Sequence, residues 1–228
     1  MQAKVGDIYN HSTRVVASTL GTLVGLAGID HGIFEILQGP VTPSSFMIAA
    51  IGPDQRFWIF GEETALTLIP SFLISGILSV ILGVIVTIWA IWFIDRKHGG
   101  WILLLLSVAL FLVGGGFAPI FLAIIASLTA TRIYKPLKFW RVVLPGGIRS
   151  FLAKIWLVVL ISFVVAFVIS VVIAIFGLPL TLFFDDETAL GYLNSFSYLM
   201  VGLMLLSSLT GFAHDLQTQV GKSMLHDG

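Results

Sequence analysis

Four long apolar stretches dominate the sequence and restrict what it can fold into. They cover about residues 15–37, 65–94, 151–176 and 189–213. A helix needs about 20 such residues to cross a bilayer, because unpaired backbone groups are very costly in hydrocarbon. The chain is 57% hydrophobic and 11% charged, which is more apolar surface than one water-soluble core can hide. The sequence therefore predicts an all-α integral membrane protein that forms a single helical transmembrane domain over residues 1–228.

A fifth apolar stretch, 101–130, has two interpretations. Its middle reads Gly114-Gly115-Gly116-Phe117-Ala118-Pro119, and glycine and proline are poor residues for the centre of a helix. As a re-entrant helical hairpin with its tip at these residues, each arm is about 20 Å long and enters the membrane without crossing it. As one helix, the stretch is longer than a bilayer needs, and the protein has five single-crossing helices.

The distribution of cations favours the hairpin, because lysine and arginine in short loops tend to stay cytoplasmic. The linker 131–154 carries six cations and no acid, and the linker 95–98 reads Asp-Arg-Lys-His. The hairpin places both linkers and both chain ends on one side, with every cation except Arg56. We therefore predict a multi-pass protein of the cell membrane whose N- and C-termini are cytoplasmic.

The first helix carries Asp30, His31 and Glu35, although lipid-facing helices tolerate few ionisable groups. His31 and Glu35 lie one turn apart and flank a stripe of small residues on which another helix can approach closely. The glycines of this predicted packing face are Gly21, Gly25, Gly28 and Gly32. The pair is interpreted either as a relay, ion site or substrate contact, or as a polar cap at the membrane boundary.

The last helix offers matching polar residues in its outer half. Asn194, Ser195 and Tyr198 share the outer leaflet with His31 if the hairpin topology holds. We therefore predict an outward-facing polar pocket between the first and last helices, built from Asp30, His31, Glu35, Asn194, Ser195 and Tyr198. The alternative is that the polar residues of the last helix only join helices through hydrogen bonds.

The basic linker predicts contact with membrane lipids. Its cations alternate with Tyr134, Phe139 and Trp140, so they can bind anionic headgroups or serve only to fix the orientation. The predicted headgroup ligands are Arg132, Lys135, Lys138 and Arg141. A second copy of the chain or another membrane subunit is a further candidate partner. Nucleic acid is not, because the formal net charge is zero.

The sequence indicates neither a metal site nor a cofactor. His31 and Glu35 supply one edge of a metal site but need a third ligand, and no HExxH pattern is present. The chain has no cysteine, no Walker loop, no dinucleotide fingerprint after a strand and no G-x-S-x-G elbow. We therefore predict no metal and no cofactor.

Two short runs resemble segments of prokaryotic polytopic membrane proteins of uncharacterised function. They are 28–39, GIDHGIFEILQG, and 113–117, VGGGF. The resemblance implies a membrane protein and carries no activity with it.

Three classes of function remain open. A small transporter or channel is favoured by the re-entrant hairpin and the ionisable residues in the outer leaflet. A non-catalytic membrane subunit or scaffold is favoured by short loops and glycine seams. A membrane-embedded enzyme would need more convergent acids, bases or metal ligands than the chain offers.

Overall fold

Helices make up most of the fold, and sheet is almost absent from the described residues. The computed structural model describes residues 8–226, with side chains as far as residue 219. In chain order the elements are α1 His11–Leu37, β1 Met47–Ala49, β2 Thr64–Leu66, α2 Phe72–Ile88, α3 Gly99–Leu112, α4 Phe117–Ala130, α5 Lys138–Val143, α6 Gly146–Phe176 and α7 Asp186–His226. A π-helical segment, Trp89–Phe93, extends α2, and β1 pairs antiparallel with β2.

Four helices are long and apolar enough to cross a membrane, which confirms the predicted fold class. They are α1, α2 with its π-helical extension, α6 and α7 as far as Gln219. The predicted boundaries were wrong in places. The helix expected from residue 65 starts at Phe72, since Pro70 disfavours helical geometry in the residue before it. The last helix continues past residue 213, where Asp215 is buried against the start of α1.

The fifth apolar stretch forms two short helices, so a single continuous helix over 101–130 is not present. α3 and α4 have 14 residues each, about 21 Å at 1.5 Å per residue, and they pack against each other. Gly114 and Gly116 between them have φ of +110° and +82°. Residues with a side chain rarely adopt such angles, so glycine at these two positions allows the chain to turn between α3 and α4.

α1 is the central element, and its glycines lie where other helices come close. A Cβ on Gly32 would stand 2.6 Å from the carbonyl oxygen of Gly76 in α2, and a Cβ on Gly83 would stand 2.6 Å from that of Gly25. Gly21 and Gly28 face leucine side chains of α3. Larger residues at these positions would push the helices apart.

The bundle has two chemically different ends. The basic end joins the start of α1 to the connections 94–99 and 131–145 and to α7 near residue 215. The loop end joins the segment 38–71 to the connection between α3 and α4 and to the end of α6. Both open ends of the α3–α4 hairpin therefore lie at the basic end, and its tip lies at the loop end.

Candidate functional site

The candidate site lies at the loop end, where α1 carries His31 and Glu35 on one buried face. His31 is 3% exposed and Glu35 is fully buried. Asp30 is half-buried and lies beside His31 on α1, about 100° around the helix. Two ionisable side chains one helical turn apart are thus enclosed by protein rather than by lipid.

Glu63 completes the group from the loop segment just before β2. Its carboxylate Oε2 forms an ion pair with Nε2 of His31, and its side chain is 25% exposed. The Glu63 backbone carbonyl accepts a hydrogen bond from the Ala50 N–H at 2.7 Å, which fixes the segment beside the small sheet. Burial raises the pKa of Glu63, but the hydrogen bond and charge of His31 outweigh this and hold the pKa below its ordinary value.

The tip of the α3–α4 hairpin closes the site from the other side. A Cβ on Gly116 would lie 2.7 Å from Nε2 of His31, and a Cβ on Gly114 would lie 2.5 Å from Oε2 of Glu35. Only glycine leaves room for the imidazole and the carboxylate there, and the positive φ of both residues also favours glycine. The hairpin tip can therefore pack in this position only with glycine at 114 and 116, beside the side chains of Glu35 and His31.

Two serines of α2 anchor the same tip. Ser75 Oγ and Ser79 Oγ donate hydrogen bonds to the Val113 carbonyl at 2.7 and 2.8 Å. The Leu68 N–H donates to the Leu112 carbonyl at 2.9 Å. Carbonyls freed where α3 ends thus find hydrogen-bond donors within the protein.

Glu35 has no hydrogen-bond donor for either carboxylate oxygen among the described residues. Ser75 lies near it, but the single proton of that hydroxyl goes to the Val113 carbonyl. Nδ1 of His31 also has no partner in the described part of the chain. An ionised carboxylate is very costly to bury without a partner, so this group favours taking up a proton or a cation.

A proton suits Glu35 better than a metal ion does. In the described part of the chain, no three His, Cys, Asp or Glu side chains converge closely enough to hold a metal. Calcium needs about six to eight oxygen ligands and magnesium about six, whereas a proton needs only the carboxylate itself. His31 and Glu63 can therefore share a proton, and Glu35 can bind a proton of its own beside them.

No protein family, no curated protein and no solved structure matches this chain. The function must be inferred from the site itself.

The structure does not bring the two halves of the predicted polar pocket together. Asn194, Ser195 and Tyr198 have exposed side chains on α7, and the Ser195 hydroxyl donates to the Gly191 carbonyl of its own helix. No hydrogen bond or ion pair among the described side chains joins them to His31. The side-chain bonds from α7 to α1 lie at the basic end, at Ser12 and Thr13, because α7 otherwise packs along α6.

The remaining predicted residues lie at the hairpin and at the basic end. Gly114, Gly115, Gly116 and Pro119 lie at the hairpin tip or in the first turn of α4. The four predicted headgroup ligands are exposed at the basic end. Sequence reasoning missed Glu63, Ser75 and Ser79 as site residues. No signal singled them out, since Glu63 lies in a loop with other acids and serines are common in membrane helices.

A second buried polar cluster, at the basic end, was also missed. The Asp215 carboxylate accepts hydrogen bonds from the N–H groups of Ser12 and Thr13 at 3.0 and 2.8 Å, and from the Thr13 hydroxyl at 2.6 Å. Asn10 is fully buried and donates to the carbonyls of Arg132 and Lys135. Both side chains satisfy backbone groups that a helix start or a turn leaves open.

Proposed function

We propose that the chain is a small membrane transporter or channel that moves protons through the Glu63, His31 and Glu35 group. The observation that carries this proposal is the fully buried Glu35 carboxylate with no donor for either oxygen among the described residues. Ionisable groups inside membrane segments are commonly found in proton relays. Burying them in a membrane segment costs free energy, so they are rare where they have no function. Because the buried Glu35 carboxylate has no hydrogen-bond donor among the described residues, binding a proton stabilises it.

The three groups form a path from the surface inward. Glu63 is partly exposed, His31 pairs with it through Nε2, and Glu35 follows one helical turn further along α1. Histidine is suited to the middle position because one ring nitrogen can take up a proton while the other releases one. A proton entering at Glu63 would pass to His31. No hydrogen bond joins His31 to Glu35 among the described residues, so the second transfer would need a side-chain movement or one bridging water.

The path does not continue as a polar channel towards the basic end. The next buried positions of α1 in that direction are apolar, and they pack with Leu103 and Leu110 of α3. Transport would then require the hairpin tip to shift and expose Glu35 to the other side. The mutual contact between the tip and the site makes the hairpin the candidate moving element.

The proposed orientation places the loop end outside and the basic end in the cytoplasm of a cell-membrane protein. The cations of the linkers and the start of α1 support it, as does the length of α3 and α4, too short to cross the membrane singly. The hairpin is then re-entrant, and both chain ends are cytoplasmic.

The chain has no native cysteine, so the orientation can be tested by introducing single cysteines. With an impermeant thiol reagent on intact cells, Ser44→Cys should react, whereas Lys97→Cys and Lys135→Cys should react only after the membrane is opened. All three residues are exposed in the structure. Reaction of Lys97→Cys and Lys135→Cys from opposite sides would exclude the re-entrant hairpin.

Proton flux tests the function directly. The protein is reconstituted into vesicles with a trapped pH-sensitive dye, and a potassium diffusion potential drives proton entry. Glu35→Gln should lower the flux at least about tenfold, since the amide cannot bind and release a proton. Glu62→Gln is the matched control, because Glu62 is an exposed neighbour of Glu63 that pairs with Arg56. Equal flux in the wild type and Glu35→Gln would remove the site from any transport mechanism.

A scaffold role is the second candidate, and one observation favours it. The His31–Glu63 pair holds the loop segment over the hairpin tip, which is what a purely structural ion pair would do. On this alternative Glu35→Gln changes no flux, and extraction in mild detergent recovers the chain with a stable membrane partner or a second copy of itself.

A further inference from the structure

A groove at the basic end is built for an amphiphilic ligand. It lies between α4 and α7 beneath α5 and has a volume of about 650 Å³. We call it the α4–α7 groove. Its walls are mainly apolar and include Ile125, Leu128, Leu205, Leu209 and Phe212.

The mouth of the α4–α7 groove carries positive charge. Arg132 and Lys138 line it, and both side chains are exposed. No carboxylate of the described residues forms an ion pair with either one. The whole linker 131–154 contains no acid. The mouth therefore attracts an anionic group.

Aromatic residues mark the depth of the mouth. Trp140 lines the groove and stacks on Phe212 with ring centroids 5.1 Å apart. Tryptophan prefers the level of the lipid headgroups, where its ring contacts apolar chains and its N–H remains near water. From Arg132 to Ile125 along α4 is about 10 Å, so the groove reaches from headgroup level into the hydrocarbon.

A hydrogen-bond donor remains available in the wall between the charged mouth and the apolar floor. The hydroxyls of Thr129 and Ser208 lie 2.9 Å apart, and both residues line the groove. They share one hydrogen bond but carry two protons, so one proton is left for a further acceptor. An ester carbonyl or a phosphate oxygen of a lipid at this depth would accept it.

The geometry points to a specific binding site for one anionic phospholipid in the α4–α7 groove. The headgroup phosphate lies between Arg132 and Lys138, an acyl chain follows the apolar wall, and the hydroxyl pair meets the glycerol region. A guanidinium and an ammonium that line the same mouth suit a phosphate. This inference is independent of proton movement, since the groove and the Glu35 site lie at opposite ends of the bundle.

The test compares two double variants. One removes the two cations at the mouth of the α4–α7 groove, and the control removes two cations of the same linker that lie outside the groove. Purified protein is incorporated into nanodiscs of equal phosphatidylglycerol and phosphatidylcholine, and the lipids retained after extraction are counted by native mass spectrometry. Arg132→Gln with Lys138→Gln is compared with Lys135→Gln with Arg141→Gln. The second pair comes from the same linker and is equally exposed, but it does not line the groove.

The wild type should retain phosphatidylglycerol in preference to phosphatidylcholine. The mouth variant should lose about 30-fold of that preference, since two charges that contribute about 1 kcal/mol each are removed from the bound phosphate. The control variant, whose two charges lie outside the groove, should change it by about twofold or less. An equal loss in both variants would mean general attraction to a charged surface and would overturn the site. The absence of any preference in the wild type would overturn it as well.

A second variant tests the groove without changing charge. Leu205 is 45% exposed in the wall, so Leu205→Trp can fill the space without disturbing the buried core. It should abolish retention of the phospholipid while all six cations of the linker remain in place. Unchanged retention would show that the lipid does not occupy the groove.

Discussion

Asp215 and Glu35 are both buried carboxylates at helix contacts, but their surroundings differ. Asp215 is 5% exposed and accepts three hydrogen bonds from the start of α1. Glu35 is fully buried and accepts none from the described residues. Asp215 lies at the basic end of the bundle and Glu35 lies at the loop end.

The difference teaches that burial alone does not identify a functional acid. A buried carboxylate whose oxygens are saturated by backbone N–H groups stabilises the fold and has little capacity left for a ligand. A buried carboxylate without donors costs stability, and a protein retains such a group where it serves a function. The Asp215 cluster is therefore structural, and Glu35 belongs to the candidate functional site.

The largest effect on stability should come from removing the hydrogen bonds that Asp215 accepts from the start of α1. Asp215→Asn replaces an acceptor oxygen with an amide that faces N–H donors, so it should lower the free energy of unfolding by about 3 kcal/mol. Glu35→Gln should leave the free energy of unfolding unchanged or raise it, because no hydrogen bond is lost and the cost of burying a charge is removed. Thermal unfolding in detergent measures both. If Glu35→Gln destabilises the protein as much as Asp215→Asn, Glu35 is a structural residue.

A smaller effect is expected at the hairpin tip. Gly116→Ala places a methyl group against His31 at a residue with φ of +82°, whereas Gly39→Ala meets no neighbour at a φ of +78°. Both carry the strain of a positive φ, but the ψ of +155° at Gly116 lies in a region that is essentially restricted to glycine, and only Gly116→Ala must also displace the imidazole. Gly116→Ala should therefore be about 2 kcal/mol less stable than Gly39→Ala in the same unfolding assay. Equal losses of stability in the two variants would mean that Gly116 does not pack against His31.

The smallest effect is a pH dependence that arises from Glu63. Its pKa is lower in the folded protein than in the unfolded chain, so the folded state is stabilised above the ordinary glutamate pKa near 4.5. That contribution is lost as the pH falls through the lowered value. The melting temperature should therefore fall in acid more steeply for the wild type than for Glu63→Gln, which carries no ionisable group there. Identical acid profiles would show that the ion pair contributes nothing to folding.

Much of the fold follows from local sequence properties. Long apolar runs predict membrane helices because lipid requires them, and the three consecutive glycines predicted the break between α3 and α4. The orientation of the bundle and the re-entry of the hairpin remain predictions. The start of α2 was misplaced because residues 64–66 are apolar enough to extend a helical run, although they pair as β2 with β1.

The candidate site was predictable only in part. His31 and Glu35 stand out because ionisable residues are rare in apolar helices. Glu63 comes from a loop 32 positions after His31, and no periodicity relates the two. The predicted partner helix was α7, whose polar residues share the same leaflet, but leaflet position does not determine which helices touch. That depends on packing, and Gly25 and Gly32 bring α1 against α2 instead.

The most direct test of the central claim is infrared difference spectroscopy of the reconstituted protein as the pH on the loop-end side is changed. Glu35 should contribute a carboxyl C=O band that appears and disappears with pH, and this band should be missing in Glu35→Gln but present in Glu62→Gln and Asp215→Asn. A spectrum of Glu35→Gln identical to that of the wild type would show that Glu35 exchanges no proton, contradicting the account.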